Sequence, residues 1–531
     1  MTRSEKITPM KSLNRSAAWA ILIPALVVLV ARVVLQGLLL PTELSGDEAQ
    51  YWDWSRQLQL SYYTKGPGVA LIIALFTSIF GDNELGVRFG SYIAHALVAI
   101  IVGILGFQLS GGSNRVTWLT SIGYQCTLGY QLGGSLMTVD MPMMVGWSLA
   151  TVAAVAAVQR AREGRGIALP LSIAGGALGF SFLAKYTALL GGLGILIGIW
   201  PWRKQLWSCP GARSGALMGS LLLIAGLAPV VIWNSERGWP TVQHLLGHIS
   251  VPGGDSGVVS WSEFEFSWPL TYLLQVIVLP GPMLAVAMVL GILAWKKSRL
   301  VNPQPELRIA LWSAVPLLIF YLMVSLKGPT QGNWTAGAAA GLLPFAALWY
   351  DSQHRGKLAL WLGRGVLLRS MLSMLLLLTL PWSGPPLSGW LSRNSASIRI
   401  PIDRVTGHES FAMEVRRLAT EALGDDGATT PIVCDYYDRT ALLGFYLPEQ
   451  PVVHCASRQL GARRSAYDDL VDTRFIAAEF AGKDLILVGA SEERWRLAFE
   501  FTHLKNLGTL LQRNRQRTIF HARIRSEMEE E

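Results

Sequence analysis

The stretch AAWAILIPALVVLVARVVLQGLLL, residues 17–40, runs directly into PTELSGDEAQYWDWSRQLQLSYYTKGPGVALIIALFTSIFGDNELGVR, residues 41–88. The first piece is apolar and long enough to cross a bilayer, which takes about 20 residues. It exceeds the apolar core of a signal peptide and ends in no small-residue cleavage site, so it reads as a retained first span. The second piece opens on adjacent carboxylates and carries a dense set of aromatic and basic side chains. Within it, 66–79 is apolar but too short to span and reads as a helix lying in the membrane interface.

Further apolar runs lie near 89–110, 115–132, 141–158, 167–184, 186–201, 214–233, 269–294, 308–326, 334–350 and 358–382. Together they predict about eleven spans. The composition agrees: 51% of the 531 residues are hydrophobic and 15% charged, with a mean hydropathy of +0.36, whereas soluble domains carry about 25% charge. A soluble globular enzyme and a disordered chain are both excluded. The twenty Trp suit a membrane–water interface.

Charge orients the spans. The segments QRAREGRG (159–166), WRKQLW (202–207), KKSR (296–299) and RGK (355–357) are basic, as cytoplasmic loops are. The alternate set (41–88, 133–140, 185, 234–268 and 327–333) then faces outward, and so does everything after an odd number of spans. The net charge of +9 is accounted for by this bias and by anionic lipid. No basic run carries the aromatic interleaving of a nucleic-acid groove, so no nucleic-acid partner is expected.

From about Ser383 long apolar runs stop. Short strand-like pieces appear at 430–437 (TPIVCDYY), 450–456 (QPVVHCA) and 483–489 (KDLILVG), with helical patterns at 409–423 and 490–500. This predicts a small α/β domain over 383–531 after a membrane domain over 1–382. Cys126 and Cys209 read as free thiols, whereas Cys434 and Cys455, if extracytoplasmic, are expected to pair.

The outward loops hold the candidate chemistry. In the first, Asp47 and Glu48 are followed by Tyr51, Trp52, Trp54, Arg56, Tyr62, Tyr63 and Lys65. A carboxylate beside the bilayer can act as a general base, and Arg or Lys can hold a lipid-linked phosphate. Equally, Asp47 could simply cap a helix and the aromatics form an interfacial belt. In GGSLMTVDMP, Asp140 could be a second active-site carboxylate or an N-cap ahead of Pro142. Lys185 interrupts an apolar stretch, where a cation marks function or snorkels to the interface. Lys327, with Asn333 and Trp334 close behind, repeats that pattern. All of these positions fall on one predicted side of the membrane, which scattered interfacial residues would not do. His244 and His248 have the spacing of paired metal ligands but lack a metalloprotease Glu. Gly191–Leu196 reads as a helix-packing face, and His95 as a packing residue.

The ordered set DEAQYWDWSRQLQLSYYTKGP (47–67), FGDNELGVR (80–88), LMTVDMP (136–142), AKYTALL (184–190), PVVIWNSERGW (229–239) and SLKGPTQGNW (325–334) resembles the bacterial GT-C-fold membrane glycosyltransferases. These are the relatives of protein O-mannosyltransferases and of the lipid A aminoarabinose transferase. The resemblance covers roughly residues 17–340, and RVTGHESFAMEV (404–415) and GFYLPEQP (444–451) extend it more loosely. It implies an α-helical polytopic membrane protein with about 11–13 transmembrane helices and a C-terminal α/β extracytoplasmic domain. It further implies transfer of a sugar from a polyprenyl-phosphate-linked donor to a lipid, glycan or protein acceptor, with inversion, on the periplasmic side of a bacterial inner membrane.

By motif position, the resemblance casts Asp47 as base, with Glu48 and Asp140 in supporting acidic roles. Arg56, Lys65, Lys185 and Lys327 become phosphate contacts, and Tyr51, Tyr62, Arg88, Tyr186, Asn234 and Asn333 further substrate contacts. No cofactor is implied; a divalent metal would be compatible with the chemistry, but no motif indicates one. Where many relatives carry a His-Pro-Pro type sequence after the Tyr pair, this chain has Thr64-Lys65-Gly66-Pro67. The competing class is a lipid or lipid-linked-sugar flippase, which would place ionisable groups at the bilayer midplane and repeat its two halves.

Overall fold

The computed structural model describes residues 13–249, 251–255, 264–353, 356–394, 402–462, 464–513 and 515–525. The basic N-terminal residues 1–12, the middle of the 234–268 loop and Arg355 lie outside them. The chain forms two compact units, one of residues 1–36, 65–69 and 88–378, the other of residues 37–64, 70–87 and 379–531.

The first unit is helical. Among the described residues of the chain, six helices are long and apolar enough to cross a membrane: Arg15–Leu39, Glu84–Leu109, Asp140–Arg162, Ala212–Glu236, Leu307–Ser325 and Lys357–Leu378. One bent helix pair passes the same test only when its two halves are taken together. The apolar runs at Asn114–Gln125, Ala168–Ala184, Ala188–Ile199 and Ala336–Ser352 form shorter helices of 12 to 17 residues. At 1.5 Å per residue, even the longest of these rises only about 25 Å, short of a hydrocarbon core of about 30 Å. The run at 269–294 is bent: Ser267–Val278 and Pro282–Lys296 meet at 88°. Pro280 and Pro282 flank Gly281, whose φ of +88° only glycine adopts without strain.

Small residues set how closely these helices approach. Helices Ala168–Ala184 and Ala212–Glu236 touch backbone to backbone, since a Cβ on Gly175 would lie 2.0 Å from the Gly219 carbonyl oxygen. This is the close contact expected of helices in lipid, where apolar surface alone gives no driving force. In the first helix a fully buried Arg32 donates to Ser135 Oγ (2.5 Å) and to the Gln131 carbonyl (2.8 Å). At Arg32 the helix widens into π geometry that runs to Leu39.

The second unit is built on a five-stranded sheet: β1 (Ile432–Cys434), β2 (Val453–Cys455), β3 (Asp484–Gly489), β4 (Phe501–Gln512) and β5 (Arg515–Ile524), in the order β2-β1-β3-β5-β4. The first three pair in parallel, and β3–β5 and β5–β4 are antiparallel. Strand alternation divides the core between two faces. Ile486 and Val488 join Phe411, Val415 and Leu443 on one face, and Leu485 and Leu487 join Phe475, Trp495 and Phe520 on the other. The three strand-like segments read from the sequence are β1, β2 and β3, and the helical patterns are His408–Leu423 and Glu492–Ala498.

The same unit takes in the first loop. Leu44 N–H donates to Tyr446 Oη at 2.6 Å, and Glu43 accepts from the backbone N–H groups of His408 and Glu409 at the start of helix His408–Leu423. Trp52 packs edge-on against Phe445 (4.9 Å) and donates to Asp82 Oδ1 at 2.7 Å.

The expected Cys434–Cys455 bridge is not formed. The two residues are neighbours on adjacent parallel strands, yet both are free, buried thiols. Burial pushes both thiols up, which disfavours the thiolate that disulfide chemistry requires. Native protein should therefore resist alkylation at both positions, and protein unfolded in denaturant without reductant should take two labels there. Mass spectrometry reads this directly, and an unlabelled, bridged pair in the unfolded sample would overturn it.

Candidate active site

In the helical unit, the sequence positions 140, 185 and 333 converge. Lys185 Nζ donates to Asp140 Oδ1 at 2.7 Å and Asn333 Nδ2 donates to Asp140 Oδ2 at 2.9 Å. Asp140 is 4% and Lys185 8% exposed. The N-cap reading of Asp140 is corrected: Val139 occupies the cap position and Asp140 is the first helical residue, with both carboxylate oxygens taken. Its charge still lies at the positive end of a 23-residue helix. Lys185 does not snorkel, because its ammonium is buried against that carboxylate. Local sequence explains the meeting: Gly146 lets helix Ala168–Ala184 approach to where a Cβ would be 2.3 Å from the Ala177 carbonyl oxygen. Ser181 Oγ donates to the Met143 carbonyl at 2.6 Å nearby.

Lys65 belongs to this unit too. The segment that follows it lies on the end of helix Ala168–Ala184, where a Cβ on Gly66 would be 2.2 Å from the Leu183 carbonyl oxygen. The Lys-Gly-Pro sequence is thus fitted to a backbone contact two residues from Lys185. Tyr186 packs on Phe182 (5.1 Å), and Arg88 is buried at 1% exposure. Lys327 follows the C-terminus of helix Leu307–Ser325 and is half-buried. Asn234 closes a turn, accepting from Thr241 N–H at 3.0 Å and donating to the Val230 carbonyl at 2.9 Å. His244 lies between Asp255 (3.0 Å) and His248 (3.1 Å), and the His248 ring meets Trp334, the neighbour of Asn333.

In the second unit, Asp47 is exposed at the second position of helix Gly46–Arg56. It is not the cap. Ser45 is, through a capping box in which Glu48 Oε2 accepts from Ser45 N–H at 2.9 Å. Glu48 is fully buried in that role. Tyr62 stacks on Trp54 (4.4 Å, 11°) and donates to the Trp54 carbonyl at 2.9 Å, and Tyr51 tilts against the same Trp at 5.0 Å. Arg56 sits over Trp52 at 4.8 Å and faces Asp53 at 3.8 Å. The helix therefore buries its aromatic face and leaves Asp47 outward.

Sequence reasoning passed over Asp53. Burial raises its carboxyl to about 6, against the smaller opposing pull of the Tyr467 phenol and Arg56. Because the folded value lies above the unfolded one, this group's contribution to stability is complete below about pH 4 and is lost as pH rises through about 6. Asp53→Asn should thus stabilise the protein above pH 6 by up to about 3 kcal/mol and flatten the pH profile between 4 and 6. Thermal unfolding across that range tests it; an unchanged slope would contradict the assignment.

Known proteins bear on this arrangement. The family described as dolichyl-phosphate-mannose-protein mannosyltransferase matches residues 64–233. The chain is similar to a lipid A galacturonosyltransferase, RgtD, of Rhizobium johnstonii, at 23% identity over 84% of this chain and 86% of that one. It is also similar to an undecaprenyl phosphate-alpha-4-amino-4-deoxy-L-arabinose arabinosyl transferase of Proteus mirabilis, at 26% identity over 51% of this chain and 47% of that one. Its fold matches crystal structures of ArnT from Cupriavidus metallidurans. The apo form gives a TM-score of 0.60 at 15% identity, and the form bound to undecaprenyl phosphate 0.62 at 14%. Each match covers 94% of this chain and 97% of that one. The chain has the fold of ArnT, with several helices long and apolar enough to cross a membrane.

Proposed function

We propose that the chain moves a sugar from a polyprenyl-phosphate-linked donor to a lipid acceptor of the lipid A type, on the periplasmic face of the bacterial inner membrane, with inversion at C1. The observation that supports this best is the likeness to a lipid A galacturonosyltransferase along most of both chains.

Asp47 is the base. Its carboxylate is outward and at the positive end of a helix, so it can take the proton of an acceptor hydroxyl as that oxygen attacks C1. The C1–O bond to the donor phosphate breaks, and the polyprenyl phosphate leaves with the electron pair. Negative charge grows on that leaving oxygen, and fixed cations stabilise it more in the transition state than in the ground state. Lys65, Arg88 and Lys327 are the cations assigned to that task. Lys185 is held by Asp140, and the Asp140–Lys185–Asn333 group fixes the helix ends that carry it. Glu48, Tyr51, Arg56 and Tyr62 hold the loop helix that carries Asp47.

The test is purified protein in lipid, incubated with a panel of polyprenyl-phosphate sugars and lipid A. Release of polyprenyl phosphate, with a product of opposite anomeric configuration by NMR, is expected. Retained configuration would exclude the direct displacement, and absence of release with every donor would exclude the class.

A further inference from the structure

The turn between β4 and β5 gathers arginines near Asp47. Arg513 lies against the residue before it, since a Cβ on Gly46 would be 3.2 Å from Arg513 Nη2 and 2.6 Å from Asp438 Cβ. Arg513 Nη1 donates to Asp438 Oδ2 at 2.6 Å. Beside it, buried Arg439 is paired with Asp435 and donates to Gln512 Oε1 at 2.9 Å. Antiparallel pairing sets Arg517 opposite Leu510 and Arg515 opposite Gln512, so both strand arginines share the face that carries Gln512.

The two carboxylates are thus taken by Arg439 and Arg513. Arg515 and Arg517 form no ion pair or side-chain hydrogen bond among the described residues. Among the described residues, the Arg517 Nε and Arg513 Nε atoms are buried without a hydrogen-bond partner. Desolvation lowers Arg517, and Arg515 and Arg513 add to that shift as like charges, with Asp438 opposing. A half-buried guanidinium among cations, with an unused donor, is suited to binding an anion.

We propose that Arg515 and Arg517, flanked by Arg513, form a subsite for a phosphate on the headgroup of the acceptor lipid, set beside Asp47. Such a site selects phosphorylated acceptors by holding the headgroup at a second point while its hydroxyl meets the base. It rests on the reading of Asp47 as the base and extends it to acceptor choice.

The experiment uses the full chain in phosphatidylcholine nanodiscs. Native mass spectrometry measures the Kd of bis-phosphorylated lipid A, of its dephosphorylated counterpart and of undecaprenyl phosphate. Wild type is expected to prefer the phosphorylated lipid at least about tenfold, the effect of one or two charge-assisted contacts. R515Q/R517Q should lose that preference, R515K/R517K should keep part of it, and undecaprenyl phosphate should bind all three alike. R517Q alone, at a half-exposed position, covers a double variant that does not fold. No preference in the wild type, an unchanged preference in the Gln variants, or an equal loss of undecaprenyl phosphate binding would each overturn the subsite. Asp47→Asn should keep the preference while losing turnover, so failure of the base and failure of the subsite read out separately.

Discussion

Replacing Asp47 by Asn should lower transfer by about 10²- to 10⁴-fold, the usual contribution of a positioned general base, with little change in folding. The second half of that expectation follows from position. Asp47 is exposed, the helix is capped by Ser45 and Glu48, and the buried face of Trp52, Trp54 and Tyr62 is untouched. Asn keeps the size of the side chain but cannot take a proton. Release of polyprenyl phosphate measures the loss, and thermal unfolding of the same sample measures the fold. Full turnover by the variant would remove Asp47 from the mechanism.

Asp140→Ala should do the opposite and act through the fold. It leaves the Lys185 ammonium buried without its counter-charge and Asn333 without its acceptor. Breaking a buried ion pair from one side costs about 3–5 kcal/mol, whereas removing both charges together costs far less. Asp140→Ala and Lys185→Met alone should each lower the unfolding temperature in nanodiscs strongly, and Asp140→Leu with Lys185→Met should recover most of it. Equal stabilities for the single variants and the wild type would show that the pair carries no such load. Activity of the double variant then isolates what the charges contribute to positioning.

The features around Asp47 and Asp140 differ in how far the sequence shows them. The capping box could be read directly, as Ser45 stands three residues before Glu48; that spacing already frees Asp47 from a capping role. The bend at Gly281 was equally visible, because Pro280 and Pro282 forbid a continuous helix. β1, β2 and β3 announce themselves as short runs of branched apolar residues between turn residues. The hairpin of β4 and β5 does not: β4 is a largely exposed edge strand in which Lys505, Asn506 and Gly508 break the alternation. The meeting of Asp140 and Lys185 was legible only as a shared side of the membrane. Their separation of 45 positions is closed by glycine-mediated helix contacts that no local pattern encodes. Arg32 escaped notice because its partners, Gln131 and Ser135, lie about a hundred positions away.

The capping of helix His408–Leu423 by Glu43 has a consequence for biosynthesis. Glu43 and His408 are 365 positions apart, and Gln57 and Asp472, also in contact, are 415 apart. At about 5–20 residues per second of translation, the loop leaves the ribosome tens of seconds before its counterpart exists. Through that interval Trp52 waits without the Phe445 ring that later covers it. A nascent chain stopped anywhere before the final strands can insert its helices yet cannot complete the surface on which Asp47 is mounted.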